Sequence, residues 1–304
     1  MIKILITLAL LFNIVNAKNI TPNEVYGQVM LISDQIHFLL KYYDIEHDHD
    51  GIIKQTTLIT KLKPKNSWQM TYEILVKINI LRGEHNLPAI EPVNMSPVLK
   101  INPDLVYEMT QRILSELDIF AYRVDIKLPK QNLQTFKGKS PIDVFNGLTH
   151  ISASLDKLNR FGFTSSYVFG ENMRIYDDLT IILQHLNIKD KTIPAKKDIN
   201  TKPEDTFDVG IQTLQKIKQL EIKAGISFVD YSGFKKEKIT SSDVFTITGM
   251  IIAELQTIKA YIGLINITPS APQYNSKTPV DVDQLMNWNL RKLSLIDSLE
   301  RRIR

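Results

Sequence analysis

Behind a series of similar short starts, apolar residues recur along the chain with the period of a helix. The starts are "ITPNEVYG" at 20–27, "INPDLVYE" at 101–108, "KSPIDVFN" at 139–146, "ITSSDVFT" at 239–246 and "KTPVDVDQ" at 277–284. Counting from the aromatic residue of the first four (Tyr26, Tyr107, Phe145 and Phe245), apolar side chains return near +3, +6 or +7, +10 and +13. After Phe145 these are Leu148, Ile151, Leu155 and Leu158; after Phe245 the run includes Ile251, Ile252, Leu255 and Ile258. That spacing keeps one face of a helix apolar.

The starts have a physical reading of their own. Thr21, Ser140, Thr240 and Thr278 are expected N-caps, each hydroxyl accepting from a free backbone N–H of the first turn. The acid three residues later (Glu24, Asp143, Asp243 and Asp281) bonds back to the cap's own N–H, completing a capping box. Proline at the first helical position, as at Pro22, Pro103, Pro141, Pro203 and Pro279, gives up no intrahelical bond. Ile20, Ile101 and Ile239 precede their caps and are placed to staple against Val25, Val106 and Val244.

The same register reaches weaker units anchored at Tyr72, Tyr176, Phe207 and Asp283. Of the eight +10 positions, seven are apolar and only Arg82 is not, which supports the register. Successive anchors fall 46, 35, 38, 31, 31, 38 and 38 residues apart, within the range of stacked helical repeats. Tyr107, Tyr176 and Phe245 are each 69 apart, which suggests that helices pair as 3–4, 5–6 and 7–8. The linkers "DIKLPKQNLQTFKGK", "NIKDKTIPAKKDINT" and "INITPSAPQYNSK" exceed the ~2–8 residues usual between bundled helices. They are long enough either to pack as extended segments or to run back along a ~30 Å helix and allow parallel neighbours. The expectation is an all-α protein of about eight main helices, built as an irregular helical-repeat array or as two joined bundles. Residues 1–17 read as a signal peptide, 18–100 as an N-terminal region of two helices, and 101–304 as a repeat region of about six.

Composition narrows the setting. The leader has Lys3 as its positive region, an apolar run from Ile4 to Val15, and Val15-Asn16-Ala17 as a cleavage site. That run is shorter than the ~20 residues needed to span a bilayer, so cleavage after Ala17 and an extracytoplasmic mature chain, periplasmic or secreted, are expected. With no cysteine among 304 residues, disulfides, thiolate metal sites and a cysteine nucleophile are excluded. A formal charge of +4, with acids mixed among bases, argues against nucleic acid as a partner. The basic clusters Lys196-Lys197, Lys235-Lys236 and Arg301-Arg302 leave room for a weak contact with an anionic surface.

Two stretches carry candidate chemistry. "DIEHDHDG" at 44–51 places His47 and His49 between acids, and with Asp48 and Asp50 they form a candidate divalent-metal site. As a calcium loop the stretch fails at its twelfth position, where Thr57 replaces a bidentate Glu. The plain alternative is a hydrated acidic loop. The second stretch is aromatic: Phe161, Phe163, Tyr167 and Phe169 form a candidate ligand or partner surface, or else a plug at the junction of two halves. Motifs for common catalytic scaffolds are missing, and Ser154-Leu-Asp-Lys157 falls mid-helix. The acid pairs Asp177-Asp178 and Glu204-Asp205 read as helix-start residues, where the macrodipole favours negative charge. No cofactor is expected. The residues favour a non-enzymatic scaffold that binds a protein partner in the cell envelope; the alternative is an extracytoplasmic ligand- or metal-binding protein. A divalent ion held at 47–50 would raise the melting temperature of the mature chain, and replacing His47 and His49 by Ala would abolish that gain. Thermal melts across common divalent ions, with no shift for any of them, would sink the metal site.

Overall fold

Each of the five starts opens a helix. In a computed structural model, residues 19–46, 61–90, 101–130, 132–159, 162–234 and 238–300 are described. Among them are eight helices: α1 (Pro22–Tyr42), α2 (Pro64–Glu84), α3 (Pro103–Arg123), α4 (Pro141–Leu158), α5 (Ser165–His185), α6 (Pro203–Lys223), α7 (Ser241–Tyr261) and α8 (Pro279–Ser294). The Glu24 carboxylate accepts from the Thr21 backbone N–H at 3.0 Å, and Asp143 does the same for Ser140 at 2.8 Å. Asp243 and Asp281 receive the N–H groups of Thr240 and Thr278 at 2.8 and 2.9 Å. Where a lysine stands at the cap the reciprocal bond survives, from Lys63 N–H to Asn66 Oδ1 and from Lys202 N–H to Asp205 Oδ2.

The helix ends are as regular as the starts. Asp44, Asn86, Asp125, Asn187, Gly225 and Gly263 all adopt positive φ, between 55° and 80°. Each stands 22 residues after the first residue of its helix. The next residue, always Ile or Leu, returns its N–H to a carbonyl five residues back, as Ile126 does to Ala121 at 2.8 Å. This is the Schellman stop, in which a left-handed residue closes the last turn and an apolar one packs beneath it. Only α4 and α8, the last helices of each group of four, lack it among the described residues.

The first group packs as a ring in which α1 and α2 both touch α3 and α4, so consecutive helices α1 and α2 stand diagonally opposed. The second repeats the ring, with α5 and α6 both against α7 and α8. All four helices of a group run parallel. Pro22, Pro64, Pro103 and Pro141, the first residues of α1 to α4, border one cavity of about 20 Å³; Ser165, Pro203, Ser241 and Pro279 do the same for α5 to α8. The long linkers are therefore return segments that carry the chain back to the starting end. Segments of 17 residues, such as 124–140 and 186–202, outreach a 21-residue helix. The link between α4 and α5, residues 159–164, makes no return. The protein is thus two joined bundles, α1 to α4 and α5 to α8.

This geometry corrects two anchors. Counting five residues into each helix gives Trp68 for α2 and Phe169 for α5, one and two turns ahead of Tyr72 and Tyr176. The helical face survives such a shift, but the 69-residue pairing does not. Phe169-Gly170 matches Tyr26-Gly27, and both glycines serve the same contact. A Cβ on Gly27 would lie 2.9 Å from the Gln134 carbonyl oxygen, and one on Gly170 would lie 2.8 Å from that of Pro272. Beside them Tyr26 meets Phe136 edge-on at 5.0 Å, and Phe169 meets Tyr274 at 4.9 Å. Lys139 lies over the Tyr26 ring and Lys277 over the Phe169 ring, at 4.1 and 4.3 Å. The second bundle repeats the first, α5 for α1 and α8 for α4.

Burial alone would raise the Asp143 carboxyl, but hydrogen bonds from Ser140 hold it below the usual range. Asp143→Ala is expected to cost about 0.5–2 kcal/mol, measured as a lower urea midpoint with unchanged m-value.

Candidate functional site

The bundles meet through α2, which is buried nearly all round and carries Lys65, Asn66, Gln69, Thr71, Glu73 and Lys77 into the interior. It crosses α7 antiparallel: Lys65 reaches Glu254, Gln69 sits on Gly249, and Glu73 accepts from Thr246. Gly249 is needed there, because a Cβ would lie 2.9 Å from the Gln69 side chain.

Three polar clusters line this joint. In the first, Glu254 pairs with Lys65, which also donates to Thr257 at 2.6 Å. The Tyr231 hydroxyl donates to Glu254 at 2.8 Å and accepts from Asn66 at 2.6 Å. Glu221 lies against the same carboxylate. Burial, then the charge of Glu254, pushes the Glu221 carboxyl up to about 8, so the two acids share one proton at neutral pH.

The second cluster surrounds Lys77, whose ammonium bonds Ser152 Oγ at 2.7 Å and Asp156 at 2.8 Å. Glu73 lies 3.4 Å from it and accepts from Ser152 and, at 2.9 Å, from Thr246. Burial raises the Glu73 carboxyl, and Lys77 with the two hydroxyls opposes that rise.

The third cluster lies mainly on α5. Tyr72 donates to Glu171 at 3.0 Å, and Glu171 pairs with Arg174 at 2.7 Å while the guanidinium covers the Tyr72 ring. Further along, Asp178 holds Lys259 at 2.6 Å and Thr268 at 2.7 Å, with both charges fully buried. Burial lowers the Lys259 ammonium, and Asp178 opposes that shift.

These ions answer one another, which suits a joint that fixes orientation. Taking charges from water is costly, and close partners return most of that cost only in one geometry. Some buried donors and acceptors still lack a partner: the Gln69 amide, Nε and Nη2 of Arg174, and Oε1 of Glu221.

The candidates from the sequence fall differently. His47, Asp48, His49 and Asp50 lie outside the described residues, as do Phe161, Lys235-Lys236 and Arg301-Arg302. Among the described residues no cluster of three or more metal-ligating side chains occurs. Phe163 is buried, stacked on Phe245 at 3.8 Å, with the Lys77 ammonium 5.0 Å from its ring. Tyr167 stands 6.0 Å from it, 43% exposed. Phe169 faces Tyr274 instead, so these three side chains do not line one cleft. Asp177-Asp178 is not at a helix start: it lies two-thirds along α5, where Asp178 needs Lys259 to be buried. The misplaced anchor at Tyr176 produced that error. Glu204-Asp205 does open α6. Charges set into the apolar α7, Glu254 and Lys259, were the available signal for the joint, but their partners are remote in sequence.

No family model, curated protein or solved structure matches the chain. Among the described residues, no helix is long and apolar enough to cross a membrane.

Glu221 gives the joint a pH dependence. Its folded value near 8 lies above its ordinary 4.5, so its contribution is fully present below pH 4.5 and is lost as pH rises through 8. Glu221→Gln should remove this fall, worth on the order of 5 kcal/mol for a shift from 4.5 to about 8. Denaturant titrations of both proteins between pH 5 and 9 measure it, and parallel curves would show that Glu221 ionises freely.

Proposed function

We propose that the protein is a non-enzymatic adaptor of the cell envelope that binds a protein partner through the outer end of its first bundle. Export by the leader read in residues 1–17 belongs to this reading. The observation that carries it is an exposed aromatic seam. Gln35 of α1 donates to Asp118 of α3 across the surface at 3.2 Å. Tyr42 stands seven residues beyond Gln35 and Tyr122 four beyond Asp118, so both rise from that seam, 57% and 80% exposed. Ile119 adds a third apolar side chain, 43% exposed. Tyrosine supplies contact area at low entropic cost and recurs where interface energy concentrates. The seam is held from beneath, where Tyr43 and Phe120 both pack against His85, so it presents a stiff surface.

Internal chemistry supports an architectural role. Most strongly perturbed groups of the joint are sunk between helices and paired with each other, as Glu73 is with Lys77 and Glu254 with Lys65. A second reading, ligand binding, is favoured by a separate cleft on α6 described below.

Affinity capture with residues 18–304 from native envelope, followed by mass spectrometry, tests the adaptor. The wild type should enrich a few stoichiometric partners, and Tyr42→Ala with Tyr122→Ala should lose them while keeping the helical circular dichroism. A partner-free wild type, or capture indifferent to both tyrosines, would overturn this assignment.

A further inference from the structure

Between α6 and the segment that follows it lies a cleft of about 250 Å³, away from the tyrosine seam. Its apolar wall is formed by Leu214 and Ile222 of α6 with Val229, and Ile222 leaves 52% of its surface exposed. Its floor includes Tyr231, which cannot swing because its hydroxyl is fixed between Asn66 and Glu254. The charged part is a single ion pair, Lys218 with Asp230, at 2.8 Å and with each side chain a little over one quarter exposed.

The pair determines what the cleft suits. Asp230 accepts from Lys218 and from the Ser232 backbone N–H, and these bonds hold its carboxyl at about 2, so it stays ionised. The Lys218 ammonium has N–H donors beyond the one given to Asp230, and it lies 5.1 Å from the centroid of the Phe228 ring. A ligand bearing only a negative charge would gain Lys218 but face Asp230, and one bearing only a positive charge would meet the reverse. A molecule with both charges an atom or two apart satisfies both at once and brings no net charge into the cleft. The remaining wall needs an apolar group. The volume lies just under the 300–1,000 Å³ typical of drug-sized ligands, which limits the occupant to something the size of one residue.

We infer that this cleft binds a free apolar α-amino acid as a zwitterion, its carboxylate on Lys218, its ammonium on Asp230 and its side chain over Leu214, Ile222 and Val229. Gln215 and Gln219, on the same helix face, are placed to donate a further hydrogen bond to the carboxylate.

Isothermal titration of the full chain with L-leucine and L-phenylalanine tests this. Two leucine analogues run beside them: 3-methylbutylamine, which lacks the carboxylate, and 4-methylpentanoate, which lacks the ammonium. Saturable binding of at least one amino acid is expected, with leucine binding at least tenfold tighter than either analogue if leucine is the ligand. Lys218→Met and Asp230→Asn should each weaken binding at least tenfold, with Lys218→Arg retaining it and circular dichroism unchanged. Absence of saturable binding by both amino acids overturns the assignment. So does an analogue that binds as tightly as leucine where leucine is the ligand, or a folded Lys218→Met or Asp230→Asn that binds undiminished. Should a variant lose its helical signal, the analogue comparison on the unaltered chain decides alone.

Discussion

Four helix N-termini pointing at one spot are the constraint on which each bundle depends. Every helix brings about half a positive charge to its N-terminal end, so four in parallel gather about two charges where an antiparallel bundle would alternate signs. Carboxylates bonded to the cap N–H groups answer this charge where it arises: Glu24 and Asp143 in the first bundle, Asp205, Asp243 and Asp281 in the second. The capping box is thus more than a local start signal here. It supplies the negative charge that lets parallel helices converge, and the antiparallel crossing of α2 and α7 sets the dipoles of the two bundles in opposition.

Parallel packing also dictates the connections. A chain that always starts a helix at the same end must travel back each time, and the unit becomes a 21-residue helix plus a return segment. Those segments lie against the helices and need room, which Gly27 and Gly170 provide by bringing backbone against backbone. The aromatic–lysine contacts at Tyr26, Phe136 and Lys139, repeated at Phe169, Tyr274 and Lys277, fix where the last return segment of each bundle crosses. The fold is therefore regular in its helices and specified in its returns by a few side chains.

At the joint between bundles the chain uses the opposite solution, a buried polar surface. Apolar helices slide with little penalty, whereas Lys65 on Glu254, Glu73 on Thr246 and Tyr72 on Glu171 each have one good position. Such a surface adds little net stability, because the cost of desolvating the charges offsets their attraction. Glu221 shows the cost of this choice, its carboxyl raised by burial and by the charge of Glu254 beside it.

Helix starts were legible in the sequence because capping is settled within four residues, and Thr21 to Glu24 carries everything it needs. Helix ends were equally local: Asp44-Ile45, Asn86-Leu87, Asp125-Ile126, Asn187-Ile188, Gly225-Ile226 and Gly263-Leu264 repeat one signal, and that signal would have corrected the anchors at Tyr72 and Tyr176. Helix direction was not legible, because a 17-residue linker reaches either end of a neighbour. Nor were the partners of the buried charges, since Lys65 and Glu254 are 189 residues apart and no local pattern couples them. The sequence by itself determined where six of the eight helices begin and which face of each is apolar, because those depend on backbone bonds and periodicity within one segment. Only the tertiary structure decided that the helices run parallel in two rings and that α2 carries the charges between them, because those follow from which distant surfaces meet.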